Sequence, residues 1–110
     1  MYTYKATIIG VYDGDTVTAI ADLGFHVNKE IKIRLAGIDT PEIRGAERPD
    51  GLVSKKRMED LVLNKEVIIK TYKDKQEKYG RWLADIFIPE SDISVNQMLI
   101  NEGLAIPYMD

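Results

Sequence analysis

Glu30-Ile31-Lys32-Ile33-Arg34-Leu35-Ala36-Gly37-Ile38-Asp39-Thr40-Pro41-Glu42 is the stretch that decides the fold. Its first half alternates. Ile31, Ile33 and Leu35 point one way and Lys32 and Arg34 the other, the periodicity of a half-buried strand. Gly37 loosens that strand and Pro41 removes a backbone donor, so residues 39–42 are expected to leave the sheet as a loop. Arg34 thus lies on the face opposite the aliphatic residues, and Asp39, Thr40 and Glu42 follow just past the strand end. Carboxylate oxygens suit a hard divalent cation, and an arginine fork suits a phosphate.

Working outward, residues 2–11 mix aromatic and β-branched side chains and read as a strand, ended by the turn Asp13-Gly14-Asp15. Residues 16–21 resume as a second strand that breaks at Asp22-Leu23-Gly24. Downstream, residues 43–51 read as an exposed, mobile connection. Ser54 is expected to cap a helix running to about Leu63, with Met58, Leu61 and Val62 inward and Asn64 as its stop. Residues 66–72 form another strand, residues 73–78 a polar turn, and residues 81–88 the last strand, ended by Pro89. Ser94-Val95-Asn96-Gln97 has the capping-box form, and Gly103 sits where a helix C-terminal glycine belongs. A short tail, residues 104–110, completes an order of three strands, helix, two strands, helix. That order predicts a β-rich, antiparallel α+β domain able to close as a small barrel.

The chain of 110 residues is expected to form one domain over residues 1–110, with a modest core. It has no cysteine, which excludes disulfides, thiolate metal sites and a cysteine nucleophile. The single His26 cannot build a multi-histidine zinc site, so any metal would be held by oxygen. There is no membrane-length apolar run and no signal-peptide layout at the N-terminus, so the expected location is the cytoplasm. A net charge of −3 argues against a nonspecific nucleic-acid coat protein but leaves room for an enzyme that grips one phosphate.

Taken singly, Asp13-Gly14-Asp15-Thr16 is a turn, Asp39-Thr40-Pro41 a strand exit, and Lys78-Tyr79-Gly80-Arg81 a hairpin bend. In that order and at these separations, however, the segments DGDT, RLAGIDTPE and KYGR resemble the staphylococcal nuclease (thermonuclease) family. The resemblance runs from about Tyr4 to Leu104. It implies a five-stranded OB-fold-type barrel with two flanking helices, in agreement with the element order. It also implies roles. Asp15 and Asp39 match calcium-ligating carboxylates, and Thr40 matches a ligand through its backbone carbonyl. Glu42 matches the carboxylate that activates the attacking water, and Arg34 and Arg81 match the arginines that hold the scissile phosphate. Lys78 and Tyr79 match contacts to a terminal phosphate of a bound nucleotide, and Tyr108 falls near a base-contacting tyrosine.

The resemblance therefore implies a Ca2+-dependent phosphodiesterase acting on DNA and RNA with little sequence preference, favouring single strands and leaving 3′-phosphates. The alternative is a catalytically silent OB-fold module that binds nucleic acid or protein. The best-known members are basic and carry a third helix after the position of Leu104. Without it, the chain is expected either to pack its tail on the barrel or to form a homodimer. Trp82 is expected to pack within the strand pattern, and His26 to have no catalytic part.

Overall fold

The computed structural model of the chain describes residues 2–76 and 80–109. Five strands close into a barrel: β1 (Tyr2–Asp13), β2 (Thr16–Asp22), β3 (Asn28–Leu35), β5 (Glu66–Gln76) and β6 (Trp82–Phe87). The closed order is β1-β2-β3-β6-β5, with every pairing antiparallel except β3 to β6. Two register shifts, at Ile8/Gly10 and Val11/Asp13, mark irregularities in β1 of the kind that bend a strand around a barrel. The alternation read in residues 30–35 holds, since Ile33 and Leu35 are buried and Arg34 faces outward. Ile8, Val17, Val67, Ile69 and Ile86 fill the same interior from the other four strands.

Helix α1 (Arg48–Val62) closes against the barrel through Met58, Leu61 and Val62. It starts earlier than expected. Residues 43–51 are not a mobile connection; a 3₁₀ turn over Gly45–Glu47 leads straight into α1. Pro49 occupies the first turn, where a missing N–H costs nothing and the fixed φ favours the helix. Ser54 is consequently not a cap but a buried mid-helix residue, and its Oγ donates to the Leu104 carbonyl at 2.8 Å. Asn64 does end the helix region, in the left-handed conformation with φ 61°.

Two further expectations shift. Asp39 does not leave the sheet at once, because β4 (Ile38–Asp39) pairs with β7 (Ile106–Pro107) in a separate two-stranded ribbon. The tail thus packs on its own barrel. Strand β5 continues through Gln76, so residues 73–76 are strand rather than turn. Helix α2 (Val95–Asn101) begins as read, with the Ser94 Oγ accepting from the Gln97 N–H at 3.0 Å, and Gly103 follows it at φ 75°. No helix among the described residues is long and apolar enough to cross a membrane.

Candidate functional site

The β1–β2 turn, the end of β3, β4 and α1 meet at one point. Gly14 makes the meeting possible: a Cβ there would lie 2.8 Å from the Ser54 Cβ and 2.9 Å from the Thr40 Cγ2, too close for any side chain. Within the turn, the Asp15 N–H donates to Asp13 Oδ1 at 3.1 Å, which aims the buried Asp15 carboxylate across the site. Asp15 Oδ2 then accepts from the Thr40 N–H at 3.1 Å. Two segments far apart in sequence are thereby tied through one carboxylate.

Arg34 is the cationic centre of the arrangement. Its Nη1 lies 3.3 Å from Asp15 Oδ2 and its Nη2 3.7 Å from Asp39 Oδ1. Nη1 also donates to the carbonyls of Leu35 at 3.0 Å and Ile38 at 2.9 Å. The side chain is only 12% exposed, so its fork is fixed in orientation rather than swinging in water. Tyr108 stacks on it, the ring centroid 5.6 Å from Cζ, and the Tyr108 N–H is held by the Gly37 carbonyl at 2.9 Å. Arg81 reaches the same face, donating to Thr16 Oγ1 at 3.3 Å, and Thr16 is the cross-strand partner of Arg34.

The acids respond to one another. Burial, followed by the neighbouring Asp15 carboxylate, pushes Asp13 up to about 7. Burial and then the Asp15 charge also raise Asp39, against the opposing pull of Arg34. Carboxylates crowded this way favour a cation between them. Asp39 is 46% exposed, which leaves one side open to water and to a phosphate oxygen. Beside them the buried Thr40 Oγ1 has no hydrogen-bond partner among the described residues. Two carboxylates plus a threonine oxygen form a hard, oxygen-only donor set, which fits a calcium ion that completes its shell with waters.

Glu42 is held differently. It lies exposed on the loop after β4, and its N–H donates to Glu47 Oε1 at 3.2 Å. Its carbonyl rests directly on Gly51 of α1, where a Cβ would fall 2.0 Å from the oxygen. Among the described residues no three acidic or histidine side chains converge tightly enough to hold a metal ion.

The structure thus brings together Asp15, Arg34, Asp39, Thr40, Arg81 and Tyr108. Lys78 and Tyr79 lie outside the described residues. Sequence reading missed Glu47, Gly51 and Ser54 as parts of this region. Gly51 lies inside α1, in residues 43–51 whose composition reads as a connection, and its contact with Glu42 is tertiary.

A family model described as staphylococcal nuclease homologue matches residues 32–109. The chain is 35% identical to an uncharacterized protein of Methanocaldococcus jannaschii, over 96% of its own length and 60% of that protein's. It is 33% identical to a Haemophilus influenzae protein named uncharacterized endonuclease, over 92% of this chain and 51% of that one. It is 31% identical to the thermonuclease of Staphylococcus hyicus, over 94% and 57%. The chain therefore spans between half and three-fifths of the length of these curated relatives.

Proposed function

This chain belongs to the staphylococcal nuclease family, and from that premise we propose that it is a calcium-dependent nuclease hydrolysing phosphodiester bonds in DNA and RNA. The observation that carries the reading is Arg34, paired at once with Asp15 and Asp39 while Arg81 reaches the same face through Thr16. A guanidinium held by two carboxylates and two carbonyls is oriented before substrate arrives, the condition for electrostatic stabilisation of a developing charge.

Each residue then has a task. Asp15 and Asp39, with Thr40, would hold calcium, which supplies positive charge against the phosphate oxygens when bound. Arg34 and Arg81 grip those oxygens through planar forks. Glu42, exposed beside them, orients a water and takes its proton. The water oxygen bonds to phosphorus as the bond to the 5′ oxygen breaks, leaving a 3′-phosphate and a 5′-hydroxyl that takes up a proton. Single strands are favoured because their bases can splay against the barrel and Tyr108.

The test is release of acid-soluble nucleotides from heat-denatured DNA, with calcium and with a chelator, beside Glu42→Gln. Calcium-dependent release that drops by about 10²-fold or more in the variant supports the assignment. No release at any calcium level from folded protein would replace it with the binding module.

A further inference from the structure

The barrel has a second feature that the phosphate site does not use. At the end where β1 and β3 start, its interior opens into a cleft of about 150 Å³. Tyr2, Tyr4, Ile31 and Trp82 line it, with Leu23 and Lys29 at its edge. Their placement follows from strand periodicity. Trp82 is in phase with the buried Ala84 and Ile86, Tyr4 with Ala6 and Ile8, and Ile31 with Ile33 and Leu35. These are core positions by pattern. At this end they carry large aromatic side chains that stay partly exposed, Tyr2 at 50%.

Above the cleft stands the β2–β3 hairpin. Its tip is closed by Gly24 N–H to Asp22 Oδ1, Leu23 N–H to the Val27 carbonyl and Val27 N–H to the Gly24 carbonyl, each 2.8 Å. Phe25 and His26 both sit at positive φ, 53° and 61°, a conformation that bulky side chains adopt at a cost. The outcome is a phenylalanine 99% exposed, on the same hairpin as Leu23 of the rim. A strained turn that holds an aromatic ring fully in water, beside an aromatic cleft, marks a surface built for contact.

We propose that this barrel mouth is a base-binding subsite: it takes one nucleobase of a single strand, and Phe25 stacks on a neighbouring base. The inference rests on the nuclease reading for its choice of occupant. The cleft is smaller than the ~300–1,000 Å³ of sites for drug-sized ligands, and so suits one planar ring rather than a whole nucleotide. Aromatic faces stack on any base, and Lys29 together with the tyrosine hydroxyls offers polar partners for the base edge or its phosphate. Trp82 directly follows Arg81 and pairs with Ile33 beside Arg34, so one wall of the cleft adjoins both arginines in sequence, while Tyr2, Leu23 and Lys29 lie at the far ends of their strands. Every base has a π-face, so the subsite confers preference for unpaired strands without sequence preference.

Trp82 is the chain's single tryptophan, which makes the subsite directly observable. The experiment titrates the protein, in chelator, with a short single-stranded oligonucleotide and with an abasic oligomer of equal length, following Trp82 emission. The expected result is quenching by the base-bearing strand and little by the abasic one. Phe25→Ala, a change at a fully exposed position, should weaken the affinity about tenfold. Equal response to both oligomers, or none although the oligonucleotide is bound or cleaved, would overturn the subsite and leave the nuclease standing. Quenching without cleavage after calcium is restored would retain the subsite and remove the nuclease. Emission that changes with protein concentration alone would overturn it in favour of self-association.

Discussion

The two halves of the candidate site are held by opposite means. On one side Asp15, Thr40 and Arg34 are buried or nearly so and are joined by bonds between side chains and backbone from three segments. On the other, the exposed Glu42 is fixed through its backbone, by Glu47 from the N–H side and by Gly51 beneath the carbonyl. The first half is a by-product of barrel closure: Thr16 pairs with Arg34, and the Leu35 N–H bonds the Asp15 carbonyl at 2.8 Å. The second depends on where one helix begins. Arg34 and Asp39 sit on strands and Asp15 in the tight turn between two strands, whereas the group assigned to move a proton sits on a loop whose side chain can adjust.

Substitutions should separate the halves by size of effect. Arg34→Ala removes the fork and leaves Asp15 and two carbonyls without their partner. Cleavage of denatured DNA should fall by about 10²–10³ in kcat/KM, with a lower Tm. Gly51→Val forces the Glu42 carbonyl off the helix. Misplacement on the scale of 1 Å costs about 10²-fold, so activity should drop by that order while circular dichroism still reports a folded barrel. Unchanged activity would show that the helix contact does not position Glu42. Glu47→Gln keeps an acceptor for the Glu42 N–H but removes its charge, and should cost no more than about tenfold in kcat.

The smallest effect is on stability and belongs to the buried half. Folded Asp13 keeps its proton up to about pH 7, whereas the unfolded chain releases it near the ordinary aspartate value of about 4. Between those values the folded state binds more protons, so this residue's contribution to stability falls as pH rises. Asp13→Asn ends the titration. Its Tm relative to the unmodified protein should climb by several degrees from pH 4 to 7 and then level off; a flat difference would contradict the raised value.

The same division explains what could be read in advance. Alternation in residues 30–35 exposed Arg34 and the strand because strand periodicity is local. The helix cap at Ser94 and the glycine at 103 were equally local, and both stand where expected. The start of α1 was not legible, because Pro49 signals a helix break and a helix first turn alike. The strand character of Asp39 depends on Ile106, which no local pattern connects to it. Gly51 and Glu47 were hidden for the same reason, since their importance lies in contact with Glu42. The barrel was written in periodicity, the Asp15–Arg34–Asp39 face in motifs, and the support of Glu42 in tertiary contacts alone.

The most direct test asks whether the two halves form one site. Calcium-dependent cleavage of heat-denatured DNA would be measured for the unmodified protein, Arg34→Ala, Glu42→Gln and the double variant, each checked for folding. Groups that act as a unit are strongly non-additive. The account predicts that the double variant is scarcely slower than the worse single one. Losses that multiply in full would contradict it, showing that Arg34 and Glu42 serve separate steps or separate sites.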